Sequence, residues 1–560
     1  MNSLVKIKQG FDLRLKYFDG FQTESVRGYY LMKGFSLKRY VLENFLSLTL
    51  LITAFGLCCY FAMQHNPDSD ALFLIENGRW IVKNGGVPKI NPWNITEGMG
   101  IIVQQWICSI LNYEAYKLLG FRWMWIAAIL MNICLIASMG WLCRAFCKKS
   151  HINLLAMAIT EFFCCSFITT RPYQITMTTS FLMLGMLFRR NKTYLTLTSK
   201  IEKIKHILIT TLFCSLFALF QANYQLAFFF MLFAWPLCFV APKWNEIWRK
   251  DVLKVNGKKE IWEYWKPMVF GVLERSLALC VIYAGMFLAG LCNPYGLSGL
   301  LYLPKSSKAI GVMTGKIGEI TSQNLCSIFG LAIVALLILI AIILKEIPIR
   351  PELFQTEVFY LTAGTLFLAI GTVRNTWLIF PSFLILFVTY VSNVPCVISK
   401  AFSFLEGING KKVKRISIEF TIAIAIMAPF ILPRKSMDEY QESIFHAKAV
   451  SYMMNLDKDY KLYTTFNTGA MFEFCGIKVY FDPRPEIYAS EITGGINQFD
   501  EWYKMEYEDP ETLVPFLQEN NFTHCEVSVN GILDYLLRHN SDFTEIDRSD
   551  YFVLYEKVGF

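Results

Sequence analysis

Charge is scarce in this sequence: only 18% of its 560 residues are Asp, Glu, Lys or Arg. A soluble globular chain carries about a quarter. Also missing are Cys/His spacings that would read as a zinc site, internal repeats and low-complexity stretches. The N-terminus lacks the pattern of a cleavable signal, because thirty-nine polar, basic residues precede the first long apolar run. Together these absences exclude a zinc module, a solenoid and a disordered chain. An ordinary soluble enzyme is excluded by the shortage of charge.

What fills the sequence instead is apolar. Hydrophobic residues make up 54% of it, in runs such as 46–63, 331–344 and 418–432. Runs near 20 residues match a hydrocarbon core of about 30 Å at about 1.5 Å rise per residue. The 16 cysteines are filler of the same kind: most lie in apolar runs, where a free thiol behaves as a small hydrophobe. Cys475 and Cys525 lie in the tail and are the one pair positioned to form a disulfide on an oxidising face.

The formal charge of +8 divides unevenly along the chain. Residues 1–432 hold 42 Lys and Arg against 22 acids, whereas residues 433–560 hold 11 against 23. A domain boundary therefore belongs near Pro433. The basic excess needs no nucleic-acid partner, since cytoplasmic loops of membrane proteins are enriched in Lys and Arg. Residues 1–39, with eight Lys and Arg and three acids, read as a cytoplasmic segment. Residues 40–432 read as a multi-span membrane domain, with a first outer loop at 64–122. Residues 433–560 read as an acidic soluble α/β domain on the outer side.

Loop charge also sets the span count. The segment Ile101–Leu119 contains Gln104, Gln105, Asn112, Glu114 and Lys117, a poor set for a lipid-facing helix. If it spanned, the loop 189–205, with six Lys and Arg, would lie outside together with three other basic loops. If it lies at the outer interface, all four return to the cytoplasm, as the positive-inside rule requires. The spans are then 41–63, 123–146, 152–170, 173–188, 206–222, 224–241, 268–291, 326–344, 356–373, 376–395 and 416–432. The expected architecture is an α-helical polytopic membrane protein of about 11 transmembrane helices plus an interfacial helix. In the tail, strands are expected at 461–466, 477–481 and 551–555, and helices at 443–455 and 510–520.

With that topology the unusual polar residues gather on the outer side. They are Asp68, Asp70, Gln104, Gln105, Arg171, Gln221, Asn223, Asn293, Glu319, Arg374 and Asn375. Polar groups near membrane depth are costly and tend to line a cavity or pathway. In the loop 67–97, Leu74, Ile75, Ile81 and Val82 share one helical face around Gly78. Asp70 at the start of that helix reads either as a cap for free N–H groups or as a general base or metal-bound carboxylate. Asp482 and Arg484 read as a turn closed by a salt bridge, or as ligand-binding residues. Glu161 and the pair Glu274–Arg275 read as intrabundle contacts or as part of an ion path. The triplet Asn94-Ile95-Thr96 fits a glycosylation acceptor.

Asp70 followed by Gly78, then Trp80–Ile81, Gly85 and Pro88, resembles multi-span bacterial proteins related to the GT-C glycosyltransferases. Gln105–Trp106, Arg171–Pro172, Asn223, Asn293-Pro294-Tyr295-Gly296, Glu319, Arg374–Asn375 and Asp482-Pro483-Arg484 follow in the matching order. The resemblance covers about residues 40 to 490. It implies a GT-C-like fold and transfer of a sugar from a polyprenyl-phosphate donor to a cell-envelope glycan or lipid acceptor at the outer leaflet. Asp70, with Asp68 beside it, inherits the catalytic carboxylate, and a divalent cation is the cofactor such a site can take. Arg171 and Arg374 inherit the lipid phosphate. Gln104, Gln105, Trp106, Asn223, Asn293, Glu319, Asp482 and Arg484 inherit substrate contacts. The chain departs from the pattern at Leu74 and Gln225, where relatives carry histidine, and at Arg171, where many carry a second acid. The same fold without catalysis, binding a glycan or lipid partner, and a lipid or sugar transporter are the competing readings.

Overall fold

The computed structural model describes residues 44–65, 69–167, 172–220 and most of 273–394 and 445–560. Asp68, Arg171, Gln221, Asn223, Gln225, Glu274, Arg275 and Glu319 lie outside the described residues, as do the basic segment 1–39 and the expected spans 224–241 and 416–432.

Among the described residues the membrane part includes the helices α1 (Phe45–His65), α2 (Ser69–Asn84), α3 (Trp106–Leu119), α4 (Arg122–Phe146), α5 (Ser150–Cys164), α6 (Pro172–Thr196), α7 (Lys200–Phe220), α8 (Leu297–Met313), α9 (Ile328–Glu346), α10 (Thr356–Gly371) and α11 (Ile379–Asn393). Among the described residues three segments are long and apolar enough to cross a membrane, Phe45–Ala62, Arg122–Phe146 and Val373–Asn393, so this region belongs in a bilayer. Their inner faces make one core, with Cys58, Leu135, Met139, Phe181, Leu336, Trp377 and Leu384 all buried. Pro172 opens α6, where its missing N–H costs nothing. Helix α8 is a departure from expectation. It falls between the expected spans 268–291 and 326–344 and holds Pro304, Lys305 and Ser306 within it.

Helix α3 has 14 residues, which is about 21 Å at 1.5 Å per residue. That is short of a hydrocarbon core of about 30 Å. Residues 101–105 are not helical, so the segment 101–119 is not one continuous span. Helix α3 instead crosses α2 at Gly78, where an added Cβ would stand 2.0 Å from the Ser109 carbonyl oxygen. Leu74, Ile75 and Ile81 of α2 are buried as expected, but Val82 is 43% exposed because the last turn of α2 runs out beyond its partners.

The C-terminal region carries a four-stranded sheet, β1 (Leu462–Thr464), β2 (His524–Ser528), β3 (Phe543–Arg548) and β4 (Phe552–Lys557), in the order β1-β2-β4-β3. Strand β1 runs parallel to β2, and the other pairs are antiparallel. Strands β1 and β4 match the expected 461–466 and 551–555. Helices Ala447–Met454 and Leu513–Glu519 match the expected helical patterns. The expected strand 477–481 is not in the sheet. The Val479 N–H donates to the Trp93 carbonyl and its own carbonyl accepts from Ile95 N–H, so this stretch bridges to the first loop. Cys475 and Cys525 are both free thiols. Cys475 faces Tyr116 and Arg79 of the first loop, whereas Cys525 is buried within β2. Asn94 is buried, with its Nδ2 donating to the Tyr480 carbonyl at 2.9 Å, so it is no glycan acceptor in this fold.

One buried histidine ties the sheet to its first helix. His446 Nδ1 meets Glu526 Oε1 at 2.8 Å and its Nε2 meets Asp547 Oδ2 at 2.7 Å. Burial disfavours the imidazolium, but the bonds and charges of Glu526 and Asp547 outweigh it and raise the pKa. A folded-state pKa above the unfolded value gives stability that is full below the unfolded pKa and lost as pH rises through the folded one. The region should therefore lose stability as pH is raised from below to above the ordinary imidazole range. Hydrogen exchange in β2 and β3 reads this directly, and His446→Gln should flatten the dependence. Equal protection in wild type at both pH values would count against an imidazolium at this position.

Candidate functional site

The site is built where the C-terminal region docks on α2 and the loop that follows it. Arg79 of α2 pairs with Glu76 at 2.8 Å and donates from Nη1 to the Phe474 carbonyl at 2.8 Å. Trp93 Nε1 donates to Glu76 Oε1 at 3.3 Å. Next to them is a cluster with almost no exposure: Glu473, Asp482, Arg484 and Tyr488. Arg484 Nη2 donates to Asp482 Oδ2 at 2.7 Å and to Glu473 Oε1 at 2.9 Å, while its Nε donates to Asp482 Oδ1 at 2.9 Å. The Tyr488 hydroxyl donates to Asp482 Oδ2. The guanidinium lies 5.1 Å from the Phe73 ring centroid and 5.5 Å from that of Trp93. It is thus flanked by rings from α2 and the loop after it.

Protonation follows from the geometry. Burial pushes the Glu473 carboxyl well above its ordinary range, with Arg484 pulling it down less than burial and Asp482 raise it. Burial also opposes ionisation of Asp482, but the charge and hydrogen bonds of Arg484 hold its pKa below the usual value. The cluster is therefore an Asp482–Arg484 ion pair with a neutral Glu473, the state that buries no net charge.

Beside this clamp a second set of side chains meets from four separate segments. Gln104, just before α3, hydrogen-bonds the Tyr302 hydroxyl of α8. Tyr302 is 2% exposed and lies within electrostatic reach of Glu486 and Arg484. Arg374, exposed in the 3-10 turn Val373–Leu378, acts on Glu486, which lies in the 3-10 turn Pro485–Tyr488. Gln104, Arg374 and Arg484, which the sequence nominates from distant positions, are thus electrostatically coupled to Glu486 or Tyr302.

The other nominated residues have local placements. Asp70 is half-buried in the first turn of α2, one turn before Phe73. Gln105 precedes α3 without a side-chain capping bond, and Trp106 opens that helix, packed against the buried cluster that includes Trp93. Asn293 holds its turn, with Nδ2 donating to the Gly290 carbonyl at 2.7 Å and Oδ1 accepting from Tyr295 N–H at 2.8 Å. Tyr295 then fixes the first loop, donating to the Pro88 carbonyl at 2.8 Å and accepting from Val103 N–H at 3.0 Å. Glu161 is fully buried on α5 within the bundle.

Glu473, Glu486, Tyr302 and Tyr488 escape the sequence reading. The signal for Glu473 was a lone acid in Ala-Met-Phe-Glu-Phe. Glu486 lies two residues beyond Arg484 in the same motif. Tyr302 carries no signal, being one tyrosine among 27. Among the described residues no group of three or more His, Cys, Asp or Glu gathers to hold a metal. Between Glu473 and Asp482 the cationic position is taken by Arg484. The divalent cation that the resemblance implies belongs to Asp70 and Asp68, and Asp68 lies outside the described residues.

No family model and no curated protein sequence matches the chain. Among solved structures it is similar to the oligosaccharyltransferase of Archaeoglobus fulgidus tethered by a disulfide to an acceptor peptide containing the NVT sequon. That match has TM-score 0.50 and 12% identity, and covers 87% of this chain and 70% of that one. The apo form of the same protein gives TM-score 0.45 at 10% identity, over 86% and 69%. The Archaeoglobus fulgidus AglB complex with an inhibitory peptide and a dolichol-phosphate gives 0.47 at 12%, over 92% and 75%. At such identity the likeness is one of fold. By fold, then, the chain is similar to that membrane oligosaccharyltransferase, a GT-C-like helical architecture to which this chain adds a small C-terminal α/β sheet.

Proposed function

We propose that the protein is a membrane glycosyltransferase that moves a sugar from a polyprenyl-phosphate donor to a cell-envelope acceptor on the outer face. What supports this reading is the fold likeness to a membrane oligosaccharyltransferase, together with the electrostatic coupling of Arg374 and Arg484 to Glu486 and of Gln104 to Tyr302. In this reading Asp70 takes the proton of the acceptor hydroxyl. Arg374 and Arg171 stand by the donor phosphate, where guanidinium groups offset the charge that develops on the leaving oxygen. Asp68 keeps the catalytic role beside Asp70, and Asn223 and Glu319 the substrate roles, that the sequence resemblance implies. Deleting the gene should remove one glycan species from the envelope and leave its lipid-linked sugar to accumulate, both read by mass analysis. Unchanged glycans with a lost binding phenotype would favour the non-catalytic reading of the same fold.

The reading requires eleven spans, a cytoplasmic N-terminus and an extracytoplasmic C-terminal domain, the arrangement that loop charge supports. In a background without other reactive thiols, Ser541→Cys should be labelled by an impermeant reagent in intact cells, and Ser199→Cys should be protected. Both positions are exposed in the folded protein. Labelling at 199 with protection at 541 would invert the topology and remove the outer-face site.

A further inference from the structure

Helix α2 carries Asp70 in its first turn, and the residues just after it are packed against the far end of the chain. Ala71, Leu72 and Ile75 share one buried apolar cluster with Ala470, Met471 and Phe472 of the short helix Gly469–Phe474. Phe73 and Arg79 of α2 meet the same region. The Arg484 guanidinium lies 5.1 Å from the Phe73 ring centroid. Arg79 Nη1 donates to the Phe474 carbonyl at 2.8 Å, and its guanidinium lies 4.9 Å from the Phe474 ring centroid.

Phe474 also reaches beyond α2. Its ring lies 5.4 Å from that of Tyr116 on α3 and 5.7 Å from that of Phe121, just before α4. One side chain of the C-terminal region is thus wedged among three parts of the membrane domain. The wedge has a firm base. A Cβ added to Gly469 would stand 2.0 Å from the Phe481 carbonyl oxygen, and Arg484 bonds both Glu473 of the short helix and Asp482. On α2 itself, the contact of Gly78 with Ser109 leaves no slack toward α3. Close-packed contacts of this kind transmit a displacement rather than absorb it. Arg79 lies nine residues from Asp70, about 14 Å along the helix at 1.5 Å per residue, so a shift at one moves the other. A reacting group misplaced by about 1 Å can cost about a hundredfold in rate.

We propose that Arg79 and Phe474 are positioning residues: by holding α2 on the C-terminal region they set where Asp70 stands. This rests on the transferase reading above and gives the C-terminal region a task in it, that of fixing the helix that bears the base.

The test is a double-mutant cycle on the full-length protein in lipid nanodiscs, with a short-chain polyprenyl-phosphate sugar as donor. Arg79→Gln removes the charge and the bond to the Phe474 carbonyl from a half-buried side chain. Phe474→Leu removes only the ring and is the second, independent variant. Each should lower kcat about tenfold or more, with KM and thermal midpoint nearly unchanged. Substitutions about 14 Å apart normally add. In an Asp70→Asn background, however, Arg79→Gln should cost about twofold or less, because no base is left to place. The same tenfold loss in both backgrounds would show that Arg79 acts independently of Asp70 and overturn the proposal. Wild-type kcat in both variants, or a loss that only follows the amount of folded protein, would also overturn it. Asp70→Asn at the wild-type rate would leave α2 nothing to position, ending the proposal while the transferase reading stands. Wild type that transfers no sugar would remove both.

Discussion

Arg484→Leu is expected to destabilise the docked C-terminal region by about 3–5 kcal/mol, the usual cost of removing one partner from a buried ion pair. The argument is one of compensation. Asp482 is fully buried and Glu473 is 1% exposed, and Arg484 is the cation both carboxyl groups face. Without it, Asp482 must either stay ionised at low dielectric or take up a proton. The rings of Phe73 and Trp93 lose their cationic partner at the same time. Limited proteolysis and the amount of folded protein in membranes measure the loss. Adding Asp482→Asn and Glu473→Gln to Arg484→Leu should recover part of the stability, because the stranded charge, not the missing contact, dominates the cost. Wild-type abundance and protease resistance in the single variant would show that the ion pair does not hold the docking.

That clamp shows which parts of the molecule were legible in the sequence. Helices announced by apolar length, such as Phe45–His65 and Arg122–Phe146, lie close to where the sequence puts them. Their signal is local, since burial in lipid or in a bundle demands a continuous apolar run. Leu297–Met313 was hidden because Pro304 and its polar neighbours break that run, although the chain stays helical through them. In the tail, Phe552–Lys557 is visible as a short apolar run. His524–Ser528 is not, because its His524 and Glu526 look like surface positions and are both buried, Glu526 against His446. The strand expected at 477–481 fails for the complementary reason: its backbone partners are Trp93 and Ile95, some 385 residues away in sequence. Long-range pairings leave no periodic trace in a single chain.

The site divides along the same line. The salt bridge expected of the Asp482-Pro483-Arg484 motif is present. Its second acid, Glu473, comes from a different helix and could not be inferred from spacing. Likewise Gln104 and Arg374 were singled out for being polar in apolar surroundings, but the residues they act on, Tyr302 and Glu486, were not. A polar residue in an apolar run is visible from one sequence; the partner that justifies it is visible only in three dimensions.

Asp70→Asn is expected to lower sugar-transfer turnover by about a hundredfold or more, the usual scale for a lost general base, at unchanged protein level. The substitution separates two roles that share one position. Asp70 lies in the first turn of α2, where a carboxylate interacts favourably with the free N–H groups and the positive end of the helix. Asparagine caps almost as well as aspartate, so a purely capping role predicts a change of no more than about 1 kcal/mol in stability and none in turnover. A proton-accepting role predicts the reverse, because the amide keeps the volume and loses the basicity. Turnover should be measured on purified protein in nanodiscs with a short-chain polyprenyl-phosphate sugar, as a function of pH. The acid-side limb of the wild-type rate profile, set by ionisation of the carboxylate, should vanish in the variant along with most of the rate. Asp70→Glu, which retains the base on a longer arm, should keep the limb at reduced rate. Wild-type turnover in Asp70→Asn would assign this residue to capping alone and transfer the search for the base to the other carboxylates of the outer face.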